Sequence, residues 1–286
     1  MLLTLPGLLF SNILMEEQAA LERLTTPQVR YWKPAMPDAL AVHTVSSLQR
    51  TDRIPIRKNP KLLVVLYHNI VFGRTGNVYN RDLYNFEHDL AFLNRNFTLT
   101  NFPDFLQQEN PANTDHAIIT FDDGDLSLYA IVYPLFRQYA LEATIFLVPN
   151  FIGQVGYMSW DQVREMSNYR TADGRKLFHF ESHSLTHRMM GSLTEAEIYT
   201  ELRESKRIIE EETGFEVTVL ALPFGHGAGD ARIIRAAKES GYTAIRTSLE
   251  QALPLNQVDA WMIGAVNIEN YSTDVMVSKV LALLGR

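Results

Sequence analysis

The 286-residue chain contains no cysteine. Disulfides, thiolate metal sites and a cysteine nucleophile are thereby excluded, and any bound metal must be held by nitrogen and oxygen. Positive charge is scarce too: 26 Lys and Arg stand against 33 Asp and Glu, a formal net charge of −7. The densest basic stretch, Arg50 to Lys61, is short and broken by prolines, so nucleic acid is not an expected partner. Long apolar runs are also missing. Met1 to Met15 is apolar and uncharged but too short to span a bilayer, and it lacks the basic start and Ala-x-Ala-like cleavage site of a signal peptide. It reads equally as the remnant of an export signal and as an N-terminal helix. No other segment approaches a transmembrane span, and there is no internal repeat or low-complexity tract.

What the chain does have is apolar residues, 46% of the total and ample for a sizeable core. From Gln18 to Lys61 it is punctuated by Pro27, Pro34, Pro37, Pro55 and Pro60, so residues 1–61 read as an irregular N-terminal extension and 62–286 as the folded domain. Short apolar runs at Leu62 to Tyr67, Ala117 to Phe121, Ala143 to Val148, Leu177 to Glu181, Thr218 to Leu222, Tyr242 to Arg246 and Trp261 to Ile268 read as strands. Helical spacing of apolar residues covers Phe86 to Asn96, Ser127 to Tyr139, Trp160 to Met166, Thr194 to Glu212, Asp230 to Ser240 and Thr273 to Leu284. Thr194 and Glu197 form a capping box, and Gly214 and Gly241 stand as C-terminal stops. Such alternation specifies an α/β fold, a mostly parallel sheet of about seven strands closed or nearly closed into a barrel.

In such a barrel all the strand C-termini open on one face, where catalytic groups collect. Polar groups fall there in number: His68 after the first strand, Asp122-Asp123-Gly124 after the second, His183-Ser-Leu-Thr-His187 after the fourth, and Pro223-Phe224-Gly225 with His226 after the fifth. His43, His88, His116 and His179 lie elsewhere and receive no role. A spacing of four puts His183 and His187 on one face if the chain turns helically there. Two His and one Asp make a facial ligand set with open positions, so Asp123, His183 and His187 are the candidate metal ligands. Asp122, the neighbouring carboxylate, is then free to act as general base, and the Pro223-Phe224-Gly225 turn can offer the Phe224 backbone N–H to substrate as an oxyanion donor. Tyr157, Trp160 and Trp261 are candidate sugar-stacking rings or core residues.

Thr120-Phe-Asp-Asp-Gly124, His183-Ser-Leu-Thr-His187 and Leu222-Pro-Phe-Gly225, in this order and spacing, resemble the polysaccharide deacetylases, carbohydrate esterase family 4. The flanking Leu62-Leu-Val-Val-Leu-Tyr-His68, Tyr133-Pro-Leu-Phe, Ala143-Thr-Ile-Phe-Leu147 and Ser159-Trp-Asp-Gln-Val-Arg-Glu165 are similar to this family as well. The resemblance covers roughly Leu62 to Ile268. It implies a distorted (β/α) barrel, a divalent metal, usually zinc, and removal of N-acetyl groups from an amino-sugar polymer or oligomer. It favours an extracytoplasmic or envelope setting, while the lack of a clear export signal leaves a cytoplasmic one open.

The sequence departs from the family pattern in three places. Many members carry an Arg two residues before the proline, orienting the base, where this chain has Ala221. No histidine follows His226, although the family's general acid is a late His, and an Arg often found near the end of the barrel is Gly264 here. The early Tyr67-His68 looks more like the branch that contains poly-N-acetylglucosamine deacetylases, which implies His68 as the acid, with His226 as the other candidate. Alternative readings are a metal hydrolase of a non-sugar amide and a decayed, non-catalytic glycan-binding member. Nucleotide binding at Gly225-His-Gly-Ala-Gly229 is disfavoured, because the third glycine is one position early and the strand is the fifth of the organised region.

Overall fold

The computed structural model describes residues 54–108 and 111–286, so Met1 to Met15, His43 and most of the N-terminal extension lie outside the described residues. In chain order come β1 (Lys61–Tyr67), β2 (Asn69–Val71), β3 (Asn80–Asp82), α1 (Leu83–Asn96), β4 (Thr98–Thr100), α2 (Phe102–Gln107) and β5 (His116–Asp123). A π-helical turn over Leu128–Val132 runs into α3 (Tyr133–Tyr139), followed by β6 (Ala143–Leu147), α4 (Trp160–Asn168), β7 (Phe178–Ser182) and α5 (Glu195–Thr213). The chain ends with β8 (Val219–Ala221), α6 (Ala231–Glu239), β9 (Ala244–Arg246), β10 (Ala252–Pro254), β11 (Val266–Asn267) and α7 (Thr273–Leu284).

Strands β1, β5, β6, β7, β8 and β9 are neighbours in that order and all parallel. The sheet then curls toward closure. Ile263 bridges Arg246 in parallel, with the Ile263 N–H donating to the Ile245 carbonyl and the Thr247 N–H to that of Ile263. A few residues on, β11 pairs with β1, and the Ile268 N–H donates to the Leu66 carbonyl. The strand expected over Trp261 to Ile268 is therefore short, because it changes partner from β9 to β1 along its length. The result is a distorted (β/α) barrel.

Period-two alternation sorts the strand residues. Leu62, Val64 and Leu66, Ile118, Phe146, Val219 and Ala221, Ala244 and Ala265 form an inner cluster that Phe102 and Phe105 of α2 join. Their odd neighbours, such as Leu63, Val65, Ile119, Phe121 and Ile145, pack outward with apolar residues of the helices, including Leu90, Phe136 and Leu202. Each such Leu or Phe stabilises the fold by about 1.5–3 kcal/mol through burial. Helix α5 starts at the expected capping box of Thr194 and Glu197 and stops at a left-handed Gly214. One buried ion pair braces the flank: Arg81 Nη2 lies 2.6 Å from Asp89 Oδ1, and the Thr273 hydroxyl at the start of α7 donates to the same oxygen. Among the described residues no helix is long and apolar enough to cross a membrane.

Candidate active site

Regular alternation would send Asp122 and Asp123 to opposite faces of β5. Asp123 instead adopts φ 72° and Gly124 φ 87°, and the reversal brings both carboxylates to the barrel mouth. His183 Nε2 lies 3.3 Å from Asp122 Oδ2 and 3.7 Å from Asp123 Oδ1, while His187 Nε2 lies 3.3 Å from the same Asp123 oxygen. Asp123, His183 and His187 thus each turn one ligand atom into a common space, all within 4.8 Å of one another, and no other such group occurs among the described residues.

The two imidazoles meet by a route other than the helical turn expected from their spacing. Residues 183–187 form a non-helical turn with Ser184 at φ 63° and His187 at φ 61°. Phe224, at the mouth of β8, has φ 58°. Of the five non-glycine residues with positive φ among the described residues, four therefore border this site, the fifth being Ala140. Each such conformation costs on the order of 1–3 kcal/mol and persists only where the surroundings over-determine it.

The donor set is prepared for a cation. His183 Nδ1 lies 2.9 Å from the Ala221 carbonyl, which accepts its proton and leaves the Nε2 lone pair facing Asp123. Burial holds the His183 pKa down at about 3, so the ring is neutral at any ordinary pH; burial also lowers His187. Asp123 Oδ1 is buried without a hydrogen-bond donor. Burial, then the charge of Asp122, push the Asp123 pKa up to about 6. A carboxylate destabilised in this way is one that a cation would relieve.

Asp122 differs although it is buried more deeply. Burial alone would raise its pKa, but Arg246 first, and then His183 and His68, outweigh it and hold the carboxyl below the usual range. The cause is plain in the geometry: Arg246 Nη2 donates to both Asp122 oxygens at 2.5 Å, and the guanidinium lies over the Phe146 ring with its carbon 4.9 Å from the centroid. The sequence pattern does not single out Arg246, since the resemblance places such an Arg at position 221 or 264. It stands on β9, beside Ala221 of β8 in register. The position left vacant by Ala221 is filled from the neighbouring strand. A basic residue at an inward-facing position of the sixth strand, followed by Thr247 at the mouth, was the signal that could have found it.

His68 follows β1, half-buried, with its ring 4.8 Å from that of Tyr79, and is close enough for its charge to favour the ionised forms of both Asp122 and Asp123. His226 is exposed and engaged elsewhere, its Nδ1 accepting the Gly191 N–H at 3.2 Å. Pro223, Phe224 and Gly225 form a tight turn in which the exposed Phe224 ring packs 4.6 Å from His187, with Phe151 at 5.6 Å. Trp160 and Trp261 pack against the outer core, and the Tyr157 ring packs against that of Phe151, tilted by 38° with centroids 4.8 Å apart. His88 is tied to the Tyr84 carbonyl on α1, and His116 and His179 sit at the barrel's far end.

Residues 109–245 match the family model described as Polysaccharide deacetylase. Over these residues the chain is similar to the polysaccharide deacetylases. The chain is 27% identical over 193 residues to the Bacillus subtilis protein YxkH, named for the same family, the aligned part making up 66% of this chain and 65% of that protein. It is also 27% identical over 120 residues to the poly-beta-1,6-N-acetyl-D-glucosamine N-deacetylase of Staphylococcus aureus, covering 37% of this chain and 39% of that enzyme. The chain thus spans less than two thirds of either relative's length. Among solved structures the fold is similar to the deacetylase PplD of Streptococcus pyogenes in complex with acetate, with a TM-score of 0.66 at 18% identity over 78% of this chain and 99% of that one. IcaB from Ammonifex degensii gives 0.64 at 19% identity over 80% and 99%.

Proposed function

We propose that the protein removes N-acetyl groups from an amino-sugar polymer or oligomer, with Asp123, His183 and His187 holding a divalent cation. The observation that carries this reading is the split between two adjacent carboxylates. Asp123 faces both imidazoles and has no donor, whereas Asp122 is clamped and kept anionic by Arg246. The first fits a ligand, the second a base. The staphylococcal relative's named activity and the family assignment support the substrate class.

Asp123, His183 and His187 would hold a divalent cation such as zinc, which would supply Lewis-acid activation of water and of an acetyl carbonyl. The protein's own groups supply the remaining chemistry. Asp122 accepts a proton during attack on the amide carbonyl, and Arg246 keeps it in the receptive form. The left-handed Phe224 presents its backbone N–H to the developing oxyanion, an interaction worth about a hundredfold in rate. His68 delivers the proton that the departing amine requires, its neighbourhood to both carboxylates favouring it over the engaged and exposed His226.

The test is acetate release from N-acetylglucosamine oligomers, poly-N-acetylglucosamine and peptidoglycan fragments. A strong chelator should abolish it and zinc or cobalt restore it. His68→Ala should cut turnover by about a hundredfold and remove the alkaline limb of the pH profile, with metal content unchanged. Turnover surviving complete metal removal would rule the mechanism out.

A further inference from the structure

The turn that carries His183 and His187 has a backbone that makes no regular structure, yet its amide donors are all accounted for. The Ser184 N–H donates to Ser182 Oγ at 3.3 Å and the His187 N–H to Ser184 Oγ at 3.1 Å. Between them, the N–H groups of Leu185 and Thr186 both donate to Glu201 Oε2 at 2.9 Å, and the Thr186 hydroxyl donates to Glu201 Oε1. Four successive amides therefore close on side-chain oxygens, with one carboxylate at the centre. Successive N–H groups in a turn that visits the left-handed region form a concavity suited to an anion. Here the anion is supplied by the protein itself.

Glu201 is only 4% exposed and stands on α5, a helix fixed at both ends and packed on β7, so it does not move with the turn. Its three hydrogen bonds oppose the strain at Ser184 and His187. On the opposite side the Leu185 carbonyl accepts the Asn150 N–H at 3.2 Å, tying the turn to the loop after β6.

We propose that Glu201 is a positioning residue: its carboxylate clamps the Leu185–Thr186 amides and so sets the His187 imidazole against Asp123 for cation binding. Without it the turn relaxes toward ordinary dihedrals and His187 swings out of the shared site. The inference rests on the reading of Asp123, His183 and His187 as metal ligands.

Glu201→Gln keeps the shape and one oxygen acceptor but loses the charge and the second acceptor. In a cobalt titration followed by visible absorption, it should weaken affinity by about tenfold or more, the size of effect typical of groups that orient a metal-binding histidine. The control is Leu202→Ala, the next residue of α5 and fully buried, which should lower the metal-free Tm further than Glu201→Gln while leaving cobalt affinity at the wild-type value. Thr186→Val, which removes one donor and leaves the carboxylate on two amides, should weaken cobalt binding less than Glu201→Gln and in the same direction; it decides the matter if Glu201→Gln does not fold. Wild-type affinity in Glu201→Gln, or in Thr186→Val where that variant decides, overturns the clamp. Equal weakening by Leu202→Ala does so too, since the effect would then be general loosening. A wild-type protein that takes no cobalt overturns the metal site itself, and with it the role assigned to Glu201.

Discussion

A carboxylate buried as deeply as Asp122 stays anionic only beside a compensating charge, and Arg246 is that charge. The pair therefore matters for two separable reasons. Removing one partner of a buried ion pair leaves the other uncompensated, so Arg246→Met should lower stability by about 3 kcal/mol in denaturant unfolding. It should also release Asp122 to the effect of burial, raising its pKa. The acid limb of the activity profile then moves to higher pH, because the base stays protonated over a wider range. A limb that stays in place with turnover unaffected would mean that Arg246 serves packing against Phe146 and not the base. Asp123 shows the same physics with the opposite outcome, having burial and a like charge beside it.

At the scale of elements, β7 carries His179 and Glu181 on its inward face and leads directly into His183, and burial perturbs all three. Glu181 accepts the Thr218 and Val219 N–H groups at 2.7 Å on one oxygen and so pins β8 beside β7. Burial nevertheless dominates and raises its pKa to about 7, above the usual carboxylate value of 4.5. The neutral acid is thus favoured on folding. The stability this contributes is fully present below about pH 4.5 and is lost as pH rises through about 7. Glu181→Gln is neutral throughout and keeps the accepting oxygen, so the stability of the wild type relative to this variant should fall between pH 5 and pH 8. Thermal unfolding of the metal-free proteins across that range reads it directly, and a difference flat in pH contradicts the assignment.

For the whole molecule, the barrel and most of the candidate site were legible because their signals are local. The buried parallel strands read as apolar runs, the helices as amphipathic stretches with caps, and the Asp-Asp-Gly and His-x-x-x-His elements as polar groups at strand ends. What was not legible depends on neighbours in space. Arg246 could be matched to Asp122 only once β9 was known to lie beside β8, and Glu201 only once α5 was seen against the His183–His187 turn. The short pieces β2, β3, β4, β10 and α2 were missed because three to six residues give no period to read. The left-handed Asp123, Ser184, His187 and Phe224 left no mark either, since the residue that usually signals such a conformation is glycine.

These scales meet in the division of labour between Asp122 and Asp123, which one comparison tests most directly: metal content and acetate release measured together in Asp122→Asn and Asp123→Asn. Asparagine keeps size and shape but neither accepts a proton nor carries charge. Asp122→Asn should therefore hold its full complement of zinc and lose about a hundredfold in turnover, while Asp123→Asn should lose both. Equal loss of metal from the two variants would contradict the assignment of base and ligand on which the proposed function rests.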